Sequence, residues 1–590
     1  MALTATITQA ADTLHYQQTS SFPGTYEQFS AMDSTYAAAG DCIPNITRCE
    51  WDFGDGSTAI GYHVNHAYTA TGSHTITLVV RAYDGTSAQT TTSITTVAPP
   101  TFGFTKYVRS DGNDTNTGNS NTAGGAYLTM DKAYDVWRSF NSTSNTTWGV
   151  IYLNAGDTVS HTNTGDATHS PDPDYGPLAI LKTGAGANPI VNTTSGSGNY
   201  FEASENHLGA TLWGKCIYID GVDWTNSAAT GTSGAFHVEI RGSQFTNGIV
   251  NYSGAFNVWI KTIFKNVTLT GCTDTGFFTG QTGADSSYLT LDTCNIHDNG
   301  NDTTFDHQIY VSVGCTYGAI INCNIYNAST ANASDGIKFN GARKFWVKGN
   351  DVTKTRDAFD IGTNPGDRST DDIVIEKNRA HDNDYVGFWP NSCHRIMIRN
   401  NVIDTLNFGN QAAVDLKPIS ASENIVDMWF LNNSWYALKG GIFLEEASDF
   451  TNVQFKNNAV YCLSGDETLI QVTDTGQIIA DYNCYLKSGS TSSSTTFLFN
   501  GSDRSFDYWV ATLSKDTHGV YSDPLFNNAA GHDFTLKSAS PCKNAGVATY
   551  VYDDYDGKAR PASPSMGAYE FQTGQSSSGY GGRLGVGKAP

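Results

Sequence analysis

The chain has 590 residues with 57 acidic and 34 basic side chains, a formal charge of −23. That balance works against nucleic acid or an anionic membrane as the main partner, since both reward basic patches. No stretch approaches the ~18 continuous apolar residues of a membrane span, so no membrane partner is expected. An acidic polysaccharide would need local Lys or Arg, or a bridging cation.

In chain order, the opening MALTATITQAADTLHY has no basic n-region and no apolar h-region, so it does not read as a secretory signal. The expectation is a mature fragment, or a protein released without secretion, as a virion component is by lysis. Residues 1–98 carry WDFGDGS (Trp51 to Ser57), HAY (His66 to Tyr68) and GSHTITLVV (Gly72 to Val80). The last run alternates polar and apolar residues as a strand with one buried face does, and Gly54 and Gly56 suit a tight turn. These segments resemble a PKD domain, an immunoglobulin-like β-sandwich, a resemblance that implies spacing, binding or assembly with other virion proteins rather than chemistry. Trp51 is expected in its core. Pro99 and Pro100 then mark a linker over 99–105.

A second region begins at residue 106. KYVRSDGNDTNTGNSNTAGGAYLTMDKAYDVW (Lys106 to Trp137) reads as a strand, a Gly/Asn/Asp loop and a short helix. Met130, Ala133, Tyr134 and Trp137 have the spacing of one apolar helix face, with Thr129 as N-cap. The loop from Asp111 to Asn119 has oxygen groups that could ligate calcium, though it departs from the EF-hand pattern. No other cofactor is expected.

From Asp306 to Cys484 one phrase repeats: an apolar-x-apolar strand, a turn and a second strand closing on asparagine. The closing residues are Asn324, Asn350, Asn378, Asn401, Asn433, Asn458 and Asn483, each three residues after an apolar one and 23 to 32 residues apart. Such a period describes one coil of a solenoid, whose apolar face is buried only by stacking on its neighbours. Asparagine suits the corner because it tolerates left-handed geometry and its amide can bond to the next coil. Cys294 and Cys323 fall at nearly equivalent places in neighbouring coils, which favours a buried thiol stack.

Here the chain resembles the right-handed parallel β-helix proteins of the pectate-lyase-like class. Lys106 to Trp137 resembles that family's entry and end-capping helix. HDFTLKSASPCKNAG (His532 to Gly546) and DYDGKARPASPSMGAYEF (Asp554 to Phe571) resemble its closing coil and tail. The fold class expected is all-β, a PKD-like sandwich followed by a right-handed parallel β-helix over 106–572. The Gly/Ser-rich residues 573–590 have few apolar anchors.

The middle residue of each apolar-x-apolar triplet should point outward. That gives a row Tyr310, Lys338, Asp360, Gly387, Asp415 and Phe443, and two residues further a row Ser312, Asn340, Gly362, Trp389, Lys417 and Glu445. Asp360 and Asp415 then lie two coils apart, about 9.6 Å, across a glycine. That is near the upper end of the spacing of an inverting glycosidase pair, with Trp389 placed to stack on a sugar. A lyase would instead use Lys338, Lys417, His307 or Tyr310 as base. The bland alternative is a set of exposed ion pairs, Lys338 with Asp360 and Lys417 with Glu445. Catalysis is thus assigned to Asp360 and Asp415, and glycan contact to Tyr310, Lys338, Trp389, Lys417 and Glu445.

The resemblance extends to phage tailspikes. It implies a virion surface protein (tailspike, fibre or head/neck decoration), extracellular, homotrimeric and facing host surface polysaccharide. The rivals are a secreted polysaccharide lyase or glycoside hydrolase, and a non-catalytic adhesin or filament subunit.

Overall fold

The computed structural model describes residues 3–9, 15–36, 42–141, 147–162, 177–194, 201–203, 217–226, 236–238, 244–251, 256–258, 262–272, 275–279, 286–300, 306–328, 334–364, 367–404, 412–417, 424–437, 441–444, 450–463, 468–472 and 478–572. Strands dominate. Three long sheets run the length of the solenoid, of 14, 14 and 13 strands among the described residues, each strand pairing in parallel with its equivalent one coil on, save an antiparallel last pair in the third. We call them the first sheet (Phe104–Val108 to Ile478–Asp481), the second (Thr158–Thr162 to Val520–Tyr521) and the third (Phe201–Ala203 to Ser502–Arg504). Inward residues such as Ile320, Val347, Ile375, Ile398 and Phe430 stack into one continuous core. Coil stacking is what buries them, since a single coil has one side only.

The helix Met130–Asn141 closes the N-terminal end of that core. Met130, Ala133, Tyr134 and Trp137 are fully buried, the face that the spacing predicts, and the Lys132 amide donates to Thr129 Oγ1 at 3.2 Å. The loop ahead of it is a structural clasp. Asp114 accepts from the Leu128 and Thr129 amides (2.9 and 3.0 Å) and from Thr129 Oγ1 (2.9 Å), while Asp111 is held by Arg109 and Asn119 by Lys106. These oxygens face donors, so the calcium expectation does not fit the loop. Among the described residues no group of three His, Cys, Asp or Glu is arranged to hold a metal.

The asparagine corner is a ladder. Each Asn Oδ1 accepts from the backbone amide and the Nδ2 of the asparagine one coil earlier, through Asn350, Asn378, Asn401, Asn433, Asn458 and Asn483 (2.9 to 3.2 Å). Each Nδ2 also donates to a strand carbonyl, as Asn401 does to Ile375. Two expectations need correction. Asn324 is one residue past the ladder position, which Cys323 and Cys294 fill as free, buried thiols. The left-handed residue is the one before each asparagine: Gly349, Lys377, Asn400, Asn432, Asn457 and Tyr482 have φ between 55° and 68° except Asn400 at 53°. The asparagines themselves serve as hydrogen-bonding groups.

The N-terminal sandwich lies along the first sheet. The outward row of that sheet includes Tyr218, Gln244, Thr290, Ala319, Trp346, Val374, Met397 and Trp429. Residues from Ala319 to Trp429 in this row share one core with Trp51, Tyr62, Leu78 and Val80 of the sandwich. Contact is close enough that a Cβ on Gly61 would lie 2.2 Å from the Trp346 ring. Polar ties run alongside: Gln244 Nε2 to the Gly24 carbonyl (2.7 Å), Thr290 Oγ1 to Gln28 (2.7 Å), and Asp33 with Tyr317 (2.8 Å) and Lys344. Trp51 is in the core, its Nε1 donating to the Gly61 carbonyl at 2.8 Å. Residues 542–571 lie over the last coils of the second sheet and the corner, packing on Val402, Ala459 and Cys484 and bonding Asn432 and Asn457.

Candidate functional site

The sandwich packs on part of the first sheet and the C-terminal segment on the last coils of the second, and the third sheet carries the candidate site. Register gives its outward row directly. Tyr310 pairs with Lys338, Lys338 with Asp360, and Asp360 with Trp389; Phe388 pairs with Val414, so Trp389 stands next to Asp415, which pairs with Phe443. The expected position of Gly387 in this row is therefore corrected. The strand is Phe388–Pro390, two residues later than the Val386-Gly387-Phe388 triplet suggests. Gly387 lies in the turn, where a Cβ would be 2.6 Å from Ile403 Cδ1 and 2.7 Å from the Ala413 carbonyl. Trp389 leaves the second row and fills the place between Asp360 and Asp415.

The assigned residues fall into three situations. Asp360 is buried, bonded to Lys338 and, through Oδ1, to Asn391 Nδ2 at 3.2 Å. The Lys338–Asp360 pair is thus not the exposed decoration of the bland alternative; the carboxylate side chain is 2% exposed. Tyr310, Trp389 and Asp415 are half-buried, and Lys417 is exposed. Tyr310 accepts from Asn340 Nδ2 at 3.1 Å. The Arg356 guanidinium lies over Trp389 (5.4 Å) and Tyr385 (4.9 Å), which bolsters the indole as a plate. Glu445 and its expected pairing with Lys417 lie outside the described residues.

Behind the row lies a second line, in which His307 is the candidate lyase base and Asp335 and Asp357 are residues that the pattern does not single out. His307, Asp335 and Asp357 each precede Tyr310, Lys338 and Asp360 by three positions, and all are buried. His307 Nδ1 is 3.0 Å from Asp335 Oδ2, and its ring meets Tyr310 edge-on at 5.3 Å. The Asp335 carboxyl is close enough to Asp357 to raise it, and Asp335 Oδ1 and Asp357 Oδ2 are buried without a donor. Arg356 is 3.7 Å from Asp357.

Electrostatics separates these acids. Burial, then the neighbouring Asp335, pushes Asp357 well above the usual carboxylate range. Burial also raises Asp360, against the pull of Lys338. For Asp335 burial would act the same way, but His307, Lys338 and Arg356 outweigh it and hold the carboxyl low. Neighbouring carboxyls pushed apart are the usual basis for an acid and a base in one site. The signal that could have found Asp335 and Asp357 is the recurrence of Asp two residues before the first inward residue, in SDGI and RDAF.

The sequence matches the PKD domain family over residues 22–97 and the right handed beta helix region family over residues 307–484. No curated protein matches it. Among solved structures it is similar to a family 28 exopolygalacturonase of Yersinia enterocolitica (11% identity, 85% of this chain and 99% of that one, TM-score 0.41). It is also similar to a tailspike protein of E. coli bacteriophage HK620 in complex with pentasaccharide (11% identity, 65% and 77%, TM-score 0.32). A third structure, of carbohydrate-binding modules from the beta-sandwich superfamily, is 21% identical over 18% of this chain, which spans 38% of its length (TM-score 0.14). Likenesses of this size carry no role across. The chain is an all-β protein in which an N-terminal PKD β-sandwich precedes a right-handed parallel β-helix.

Proposed function

We propose that the outer face of the third sheet recognises polysaccharide. The observation that carries this reading is the row Tyr310, Lys338, Asp360, Trp389 and Asp415, on the sheet that, among the described residues, shares no core cluster with the sandwich or with residues 542–571. An indole backed by a guanidinium offers a flat face to the C–H side of a sugar ring. Trp389→Ala should lower retention of host capsule or lipopolysaccharide fractions about tenfold, the equivalent of ~1.4 kcal/mol, with the circular dichroism unchanged. Retention equal to that of the wild type would reject the face as the binding surface.

Hydrolysis through Asp360 and Asp415 is a second reading, favoured by two carboxyls on either side of Trp389 in one outward row, of which burial raises Asp360 against the pull of Lys338. Asp360→Asn should then remove most turnover while leaving glycan retention intact. Binding by the wild type without any cut product restricts the protein to recognition. The same proposal places the chain at an extracellular or virion surface as a trimer, for which sedimentation should give three times the mass of one chain.

A further inference from the structure

A cleft lies where the sandwich edge meets the C-terminal segment. Its volume is about 410 Å³, within the range of small-ligand sites. One wall is Thr47, Glu50, Arg81 and Tyr83 of the sandwich; the other includes Tyr552 and Pro561. Of the nine large hydrophobic side chains exposed among the described residues, Tyr83 (47%), Tyr552 (41%) and Ile60 (46%) belong to this neighbourhood, Ile60 beside Tyr552 in an adjoining hollow. An exposed aromatic cluster at the mouth of a cleft has a use that scattered exposed residues do not need.

Both rings are braced. Tyr83 meets Tyr550 edge-on at 4.8 Å and Tyr36 at 5.6 Å, and Arg48 lies over Tyr552 at 4.6 Å. Glu50 is fixed between Arg48 Nε (2.6 Å) and Arg81, which grips it through Nε (3.0 Å) and Nη2 (2.9 Å). The far wall is held by Arg560, buried against Glu570 at 2.6 Å. Rings fixed in this way lose little freedom on binding.

We infer that this cleft is a second carbohydrate site, taking a short oligosaccharide whose rings stack on Tyr83 and Tyr552 while the Glu50–Arg81 pair meets adjacent hydroxyls. Flat aromatic faces suit the C–H faces of pyranose rings, and a carboxylate next to a guanidinium supplies an acceptor and donors at hydroxyl spacing. The inference shares no residue with the third-sheet reading, so each can fail alone.

The test uses the full chain on a printed array of bacterial capsule, lipopolysaccharide and plant-wall oligosaccharides, neutral and uronate-bearing. Tyr83→Ala/Tyr552→Ala should lose at least tenfold in signal on a subset of glycans that Trp389→Ala leaves unchanged, and Tyr83→Phe/Tyr552→Phe should keep most of it. Ala562→Trp, which fills the cleft without removing a contact, should reproduce the loss and guards against a folding defect in the double variant. The inference is overturned if the double variant and Ala562→Trp retain every glycan that the wild type retains, if the wild type retains none, or if the variants change only the sedimentation mass.

Discussion

Replacing Arg399 by alanine is expected to cost about 3–5 kcal/mol of stability, the usual consequence of leaving one member of a buried ion pair without its partner. Arg399 ends the strand Cys393–Arg399 of the first sheet and joins three parts of the molecule. It grips Glu376 of the neighbouring coil through Nε (2.8 Å) and Nη2 (2.7 Å). Nη1 donates to the Tyr550 carbonyl of the C-terminal segment (3.0 Å), and Nη2 to the Thr47 carbonyl of the sandwich (3.3 Å). Its guanidinium also lies 5.7 Å from the Tyr62 ring. Both members of the pair are buried, at 4% and 7% side-chain exposure. Lysine cannot replace this fork, so Arg399→Lys should recover little.

The same pair sets an acid limit. Burial alone would raise Glu376, but Arg399 first, then Lys348 and Lys377, bring its pKa down to about 2 from 4.5. A folded-state value below the unfolded one stabilises the fold above pH 4.5, and that contribution is lost as pH falls towards 2. By linkage it amounts to ~3 kcal/mol. Urea unfolding followed by fluorescence at pH 6 and pH 3 should show the wild type losing more on acidification than Glu376→Gln. An Arg399→Ala variant within 1 kcal/mol of the wild type at pH 6 would mean that water reaches the pair.

Why the sequence discloses the ladder and the cap helix but not this junction is a matter of range. Asn378 and Asn401 stand in the same local phrase, and Trp137 three residues from Tyr134, so a period of a few residues finds them. Arg399 and Thr47 are 352 positions apart, and no local pattern relates them. A trace was nevertheless present. KFWVK, RIMIR and DMWFL are continuous apolar runs rather than alternating ones, as in strands buried on both faces, and their outward Trp346, Met397 and Trp429 lie under the sandwich.

The slip at Gly387 has a different cause. In VGFWP both Val-Gly-Phe and Phe-Trp-Pro fit an apolar-x-apolar strand, and three residues are too few for alternation to decide. The neighbouring coil decides: Ala358 donates to the Val386 carbonyl and Phe359 to that of Gly387, which places Phe388 inward beside Phe359, their rings stacked at 4.9 Å. One register choice thus moved Trp389 from beside the carboxylates to between them.

Asp516→Ala is expected to remove a further 3–5 kcal/mol or so, because Asp516 ends the asparagine ladder and each buried donor left without an acceptor costs roughly 1–3 kcal/mol. Its Oδ1 accepts from the Asn483 amide (3.2 Å) and Asn483 Nδ2 (2.7 Å); Oδ2 accepts from Tyr485 Oη (3.1 Å) and Trp509 Nε1 (3.0 Å). All four donors are in the closed end of the core. Only a carboxylate can accept at both oxygens, so an asparagine at this end would turn an N–H towards the Trp509 N–H, and Asp516→Asn should fall between alanine and the wild type. Burial pushes Asp516 up to about 6 from 3.8, despite its donors. A raised acid contributes stability in full below pH 3.8 and loses it as pH rises through 6, ~3 kcal/mol by linkage, opposite in sense to Glu376. The wild type should therefore gain stability between pH 8 and pH 5, and Asp516→Asn should gain less. Urea midpoints at the two pH values measure this difference directly; an Asp516→Ala midpoint equal to that of the wild type would show that the last rung draws its acceptors from solvent.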